Sequence, residues 1–448
     1  VSAAAVATSA ALAVYVVEAG AADAAGPTAT QVASVAPVTG ASPTISPPLD
    51  IKGVLFYGTA APGGGKLWET NGTAPKLLKT IKGKTAAPTE LTNVGGRLYF
   101  EADGELWKSN GTAAGTVAVD THVDPTAMAN ANGTLFFETP TALWKTRGTQ
   151  ATTRKLKTMK LGAKSEVVAV NGSVYFTDPK SGFAYDAPDL WTSNGTSAGT
   201  KTVLQTGIDA GYAKYLRLYD PTDLTNLNGQ LFFEASTNRI KLSYTDMWKA
   251  TAAKAATVVP YGTDLTNVNG SLYFFDYDKP DNCQYIDGGN SCSYSSGFAL
   301  WKGSTALFNF DPKVSLGGGY VYAPNVGQLT AVGGQLFFAS NQSGTTQLWR
   351  TDGTLSGLAD VGALPPQDLT NVNGTLFFTA NDGTDGPQIW ESNGAAPAQD
   401  GTDAGTFSVT TFPPAKTAPN DLLNVGGTLY FTANGGSAGG YGLWKLTP

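Results

Sequence analysis

Apolar and polar positions alternate in short runs along most of this chain, and the runs return as a phrase. "LTNVNGTLFFTANDGTDGPQIWESNG" (Leu369–Gly394) has near-copies elsewhere, among them "LTNVGGRLYFEADGELWKSNG" from Leu91 to Gly111. Within each copy the alternation has a period of two, with β-branched and aromatic residues on the apolar beats, which predicts strands rather than helices. One copy reads as four strands: "DLTNV", "TLFFTA", "QIWES" and "AGTFSVT". Asn-Gly separates the first strand from the second and the third from the fourth. Both residues tolerate positive φ, so each joint predicts a tight hairpin.

The copies align on the tryptophans Trp68, Trp107, Trp144, Trp191, Trp248, Trp301, Trp349, Trp390 and Trp444, each preceded by Leu, Met or Ile. The first and last lie 376 positions apart, eight intervals of 47 on average. Four strands repeating at 40 to 50 residues predict a β-propeller, because a lone antiparallel blade cannot bury both faces and neighbouring blades must cover them. A solenoid is the alternative, but its repeats are usually shorter or helical. The expected fold is all-β: a single propeller of nine four-stranded blades over residues 49–448, or eight with one divergent repeat. One tryptophan per blade at a fixed position reads as a packing anchor between blades, not as a ring of ligand-gripping aromatics.

The motifs "ELWKSNGT" from Glu105, "LWRTDGT" from Leu348 and "LWTSNGT" from Leu190 resemble the bacterial ELWxxDGT-repeat proteins, with Asn replacing the family's Asp in most copies. The resemblance covers about residues 49–448 and implies a secreted β-propeller. It brings no catalytic residues with it.

The ninth repeat stops after "GLWKLTP", without a fourth strand. An unpaired edge invites aggregation. The alternating stretch "TATQVASVAPV" (28–38) is therefore expected to supply the missing outer strand from near 30–38, within a linker of residues 27–48, and so to close the ring.

Outside the ring lies the Ala-rich segment 1–26, with no Lys or Arg and no charge before Glu18. The chain opens on Val1 rather than Met, which fits a processed N-terminus, and without a positive n-region the segment is not an intact signal peptide. Its composition favours helix. A helix apolar all round asks for burial all round. The segment suits a membrane anchor by length but is weakly apolar for one, so a membrane enters only transiently, before assembly. The reading carried forward is polymerisation with other copies of the chain through Val6, Leu12, Val14, Tyr15, Val16 and Val17. That plan resembles type IV pilin-like filaments in architecture, although Ala5 stands where those pilins carry Glu. A variant is donor-strand exchange by "AVYVV" (13–17), and a third reading is a leftover leader packed on its own ring.

Composition narrows the chemistry. The net charge is -6 and no basic run exists, which argues against a nucleic-acid partner. There is one histidine, His122, expected at a surface or turn position, and no G-x-S-x-G, HExxH or P-loop motif. "NDGTDG" (381–386) reads as a turn rather than a calcium loop. No enzyme activity, metal or cofactor is expected. Cys283 and Cys292 lie in one polar stretch, too few for zinc, and are expected to form a local disulfide in an oxidising compartment. Eight N-x-[ST] sites occur, at Asn71, Asn110, Asn132, Asn171, Asn194, Asn269, Asn341 and Asn373; all but Asn341 are Asn-Gly turns that would also be glycosylation acceptors in a secreted protein.

What does not repeat is concentrated in blades four to six. Long loops there carry Tyr185, Tyr212, Tyr215, Tyr219, Tyr277, Tyr285, Tyr294, Tyr320 and Tyr322. Such a surface suits recognition of glycans or proteins. Two functions follow as expectations: an extracellular filament subunit assembling through residues 1–26, or a secreted monomeric adhesion module binding through the tyrosines.

Overall fold

A computed structural model describes residues 28–35, 44–83, 86–159, 166–179, 188–205, 218–237, 245–251, 254–259, 262–268, 270–276, 282–286, 289–293, 298–303, 305–310, 327–341, 346–362, 364–384, 386–395, 405–410, 418–434 and 441–447. The expected helix over 1–26 and its assembly residues lie outside them. Among the described residues no helix is long and apolar enough to cross a membrane.

The described residues form a nine-bladed β-propeller of antiparallel sheets. Blade two is representative: Thr89–Val94, Arg97–Ala102, Glu105–Ser109 and Val117–Asp120 pair in chain order. From Leu49–Ile51 in blade one to Asn420–Val425 in blade nine, each first strand packs on that of the next blade. Blade five gains a fifth strand, Leu204–Gln205, which runs parallel to its outermost strand Lys254–Val259. Blade six carries an extra hairpin, Asn282–Ile286 with Gly289–Ser293, between its second and third strands.

The turn between first and second strands follows the expectation. Asn132, Asn171, Asn228 and Asn373 have φ near +50°, each followed by a glycine also at positive φ. In blade eight Val372 pairs with Thr375 across the turn, leaving two residues at positive φ as a type I′ hairpin requires. The Asn-Gly between third and fourth strands is different. Only its glycine takes positive φ, and seven residues separate Ser109 from Val117 in blade two. Here the asparagine works through its side chain: Asn110 Oδ1 accepts from the Thr112 backbone N–H at 3.1 Å and from its hydroxyl at 2.8 Å. The local Asx bond replaces the tight hairpin expected from sequence.

Each tryptophan packs back on the blade before it. Trp107 joins the cluster of Leu67, Leu78 and Ile81 of blade one, and Trp144 joins Leu106 and Val119 of blade two. The residue preceding each tryptophan faces the next blade: Leu67, Leu106, Leu143 and Ile389 are all fully buried. The packing role of the Leu-Trp pair is thus as expected. A phenylalanine of the second strand stacks under the ring, as Phe137 does beneath Trp144 at 6.3 Å.

The first strands add polar ties between blades. Asn130 donates to the Asn93 carbonyl, Asn371 to that of Ala331 and Asn424 to that of Asn371, while each Oδ1 accepts the glycine N–H of its own hairpin. One side chain so sets both the turn and the seam.

The outer strand of the ninth sheet is Thr28–Ser34, antiparallel to Tyr441–Thr447. It begins two residues earlier than expected and ends sooner. Pro27 lacks the N–H that would extend it, and at the other end Val35 donates its N–H to the Tyr441 carbonyl at 2.9 Å and packs its side chain with Ile45, Leu55, Tyr57, Tyr430 and Leu443 between blades nine and one. Ser46 then binds Gly58 of blade one, its N–H donating to the carbonyl and its hydroxyl accepting from the N–H.

Candidate functional site

The two faces of the propeller differ in chemistry. The first-to-second and third-to-fourth turns project from one face. The second-to-third loops and the starts of the first strands project from the other, where the extra hairpin of blade six is inserted.

On the insertion face the same position recurs at the start of each first strand. It holds Pro47, Glu90, Ala127, Glu166, Asp223, Asp264, Gln328, Asp368 and Asp421 in blades one to nine, six acids and no base. Five of these residues depart from extended backbone: Glu90, Asp223, Gln328, Asp368 and Asp421 have φ between 54° and 62°. For a residue with a Cβ that conformation costs about 1–2 kcal/mol. The bulge turns the following N–H outward, and a neighbouring blade answers it. Glu166 accepts from the Leu224 N–H at 2.5 Å and Gln328 from the Leu369 N–H at 3.3 Å. The hydroxyl two residues on closes the bulge, as Thr92 does on the Glu90 carbonyl.

Two of these carboxyls hold protons more tightly than usual. Burial raises Glu90, with the neighbouring Glu101 charge adding to it; burial and the Asp421 charge raise Asp368. Glu138 lies just beneath, on the second strand of blade three. It is 1% exposed, and its Oε2 accepts the Glu166 N–H at 3.1 Å while Oε1 has no partner. Burial pushes its pKa up to about 9, the Glu166 and Asp178 charges adding and the Glu166 N–H opposing. Glu138 is therefore a neutral acid at neutral pH. The ring is an acceptor surface suited to cationic or hydroxyl-bearing groups.

On the opposite face the repeated phrase builds a latch across the seams. Lys108, the residue after Trp107, donates to the carbonyl of Gly148 in the next blade's turn at 2.6 Å; Lys145 does so to Gly195 at 2.6 Å and Lys445 to Gly72 at 2.9 Å. An aromatic from the second strand fills the space beside each glycine: a Cβ on Gly148 would meet Tyr99 Oη at 2.3 Å, and one on Gly72 would meet Tyr430 Oη at 2.5 Å. In blade one Glu69 cannot donate, and Lys76, paired with it at 2.7 Å, reaches the Gly111 carbonyl instead.

The residues singled out in the sequence are distributed unevenly over these features. Tyr219 falls in the first strand of blade five, Leu218–Leu227, and Tyr285 in the extra hairpin of blade six. Tyr185, Tyr212, Tyr215, Tyr277, Tyr294, Tyr320 and Tyr322 lie outside the described residues. Cys283 and Cys292 are direct cross-strand partners in that hairpin. His122 is an exposed turn residue, 3.4 Å from Asp120. In "NDGTDG" the Asn381 and Asp382 side chains accept from the backbone N–H groups of Gly383 and Thr384, as a turn requires. Asn71, Asn110, Asn132, Asn171, Asn194 and Asn373 are exposed, but Asn171 and Asn373 already spend their amide nitrogens on the carbonyls of Gly229 and Gly427. The acidic bulges and the latch were not foreseen. Their signals are the Asp that opens most "DLTN" copies and the Lys after most tryptophans.

No family model matches the chain, and no curated protein matches it. Among solved structures it is similar to the computationally designed Ika8 protein, with a TM-score of 0.41 and 14% identity over 80% of this chain and 98% of that one. It is also similar to the β-propeller domain of the Trilobed protease from Pyrococcus furiosus, with a TM-score of 0.38 and 10% identity over 84% of this chain and 98% of that one. Puromycin hydrolase follows, with a TM-score of 0.40 and 12% identity over 87% of this chain and 58% of that one.

Proposed function

We propose that this chain is an extracellular, non-catalytic propeller of the ELWxxDGT-repeat kind, a head domain that assembles with its own copies through residues 1–26. The observation that carries this reading is the place of Thr28. It pairs with Thr447, at the end of the third strand of blade nine, on the outer rim of the face that bears the Asn-Gly turns. Thr28 thus offers a point of attachment on that rim, away from the face that carries the extra hairpin of blade six. Attachment and recognition by the extra hairpin of blade six are assigned to opposite sides of one ring. Negative-stain electron microscopy of the full chain beside a 27–448 truncation tests it. Filaments or defined oligomers from the full chain, and single rings from the truncation, are expected. Single rings from both would overturn the reading.

A second reading, a monomeric binding module, is favoured by the extra hairpin of blade six. Its register supports the Cys283–Cys292 disulfide. Ile286 and Gly289 close the hairpin as a hydrogen-bonded pair, so alternation makes Cys283 and Cys292 a non-hydrogen-bonded pair. In such a pair the Cα atoms stand about 4.5 Å apart, within disulfide range. A cross-linked, Tyr-bearing hairpin is a rigid recognition element. Replacing residues 282–293 with a short turn is expected to abolish binding on a glycan or protein array; unchanged binding would overturn this assignment.

A further inference from the structure

A cavity lies on the Asn-Gly face, at the seam between blades three and four, and its chemistry is opposite to that of the acidic ring. It measures about 470 Å³, inside the range of about 300–1,000 Å³ typical of small-molecule sites. Lys145, Arg147 and Arg154 line it together with the amides of Asn132 and Asn194 and the hydroxyl of Thr134, and no acidic residue lines it. Three cations without a carboxylate are unusual in a chain whose net charge is -6.

Arg147 is the informative residue. In the equivalent turns of blades one, two, four, seven and eight the position holds Asn71, Asn110, Asn194, Asp352 and Asn393, and each of these side chains accepts a backbone N–H within its own turn. Blade three reads "KTRGT" instead. The lost bond is made good by Thr152, whose Oγ1 accepts from the Arg147 N–H and the Thr149 N–H, both at 3.2 Å. A local rule is broken, compensated nearby, and the breaking side chain is placed at a cavity; that combination marks function more often than drift. Among the described residues the Arg147 guanidinium makes no ion pair. Lys145 reaches the Gly195 carbonyl and Arg154 the Thr153 carbonyl, and among the described residues neither forms an ion pair with a carboxylate.

We propose that this cavity binds an acidic saccharide, its carboxylate or sulfate held by Arg147, Arg154 and Lys145 and its hydroxyls by Asn132, Asn194 and Thr134. Guanidinium pairs oxyanions through two parallel hydrogen bonds. A bare inorganic anion would use the cations and leave most of the volume and the amides idle. A polyhydroxylated ring carrying an oxyanion uses both. The site lies on the opposite face from the extra hairpin of blade six and does not depend on the assembly of residues 1–26.

The test is calorimetric titration of the full chain with a uronic-acid oligosaccharide, a sulfated oligosaccharide, their neutral counterpart and inorganic phosphate. Arg147→Asn restores the turn found in the other blades, so the fold is expected to hold and Tm to stay unchanged. Arg154→Ala serves as the second variant. Binding of one acidic saccharide, weakened by salt, at least tenfold tighter than the neutral sugar or phosphate, and tenfold weaker in each variant, is expected. The arm that binds identifies carboxylate or sulfate as the anchor. No binding by either acidic sugar, equal binding of phosphate, or unchanged binding in both variants would overturn the proposal.

Discussion

The seam between blades two and three and the seam between blades eight and nine are built from the same phrase, yet only the first is latched. At the first, Lys108 grips the Gly148 carbonyl and Tyr99 fills the space a side chain would need. At the second, Glu391 stands in the lysine's place, its pKa raised by burial. Blade nine has no third-to-fourth turn to offer, because its fourth strand comes from Thr28–Ser34. Blade four shows the same logic: Thr192 bonds its own blade at Val174, and the receiving turn in blade five contains no glycine. A cation therefore grips the carbonyl where the next turn offers one, from the position after the tryptophan in blades two, three and nine and from Lys76 beside Glu69 in blade one. The repeated words describe the contact between copies as much as any single copy.

The comparison breaks most sharply at the glycines. Gly148→Ala is expected to cost about 3 kcal/mol, from left-handed backbone and from a Cβ driven into Tyr99 Oη. Gly133, also at positive φ, has open space where a Cβ would sit, with nothing within 4 Å. Gly133→Ala is thus expected to cost only about 1 kcal/mol. Chemical denaturation of both variants measures the difference, and equal losses would remove the latch from the explanation.

The next effect depends on pH. Glu101 and Glu138 hold the same repeat position in blades two and three, but Glu101 is hydrogen-bonded to Thr89 and Gly104 near solvent while Glu138 is buried. With its folded pKa at about 9, Glu138 retains a proton that the unfolded chain releases above about 4.3. Its contribution is fully present at low pH and is lost as pH rises toward 9. Glu138→Gln is expected to remove that slope, so the variant gains on the parent between pH 5 and pH 9. Parallel stability curves for the two proteins would contradict it.

The smallest effect is the lysine itself. Lys108→Met removes one charged hydrogen bond at a partly buried seam and is expected to cost about 1 kcal/mol. Glu391→Met, with no carbonyl to lose, is expected to change stability by less than about 0.5 kcal/mol. Thermal melts of the pair read this, and an equal shift would show that the position matters for some other reason.

The architecture was legible because it rests on local signals: period-two alternation, a glycine hairpin before each second strand (Asn-Gly in five copies), and one tryptophan per copy. The third-to-fourth turn was misread because the same dipeptide serves two geometries, and only the side-chain bond of residues such as Asn110 separates them. The latch stayed hidden because its partners sit in different copies, Lys108 in one and Gly148 in the next. A propeller seam joins positions that no single repeat contains. The acidic ring is visible in "DLTN" only once the bulge is known, since an Asp opening a strand otherwise reads as solvent-facing. "TRGT" at 146–149 was the open clue to the basic cavity, an Arg where the equivalent turns of blades one, two, four, seven and eight carry Asn or Asp. Of the tyrosines, backbone register alone places Tyr219 and Tyr285.

The central claim is that nine repeated seams carry the fold and that a strand from the N-terminal side holds the last one. Comparing the melting temperature of a 27–448 truncation with that of a 36–448 truncation tests it most directly. The shorter truncation leaves Thr28–Ser34 on the edge of Tyr441–Thr447 and Val35 between blades nine and one. The longer one strips both and opens the sheet edge. The expected result is a Tm near that of the full chain for 27–448 and a fall of roughly 5 °C or more, with aggregation, for 36–448. Equal melting temperatures for the two truncations would contradict the account.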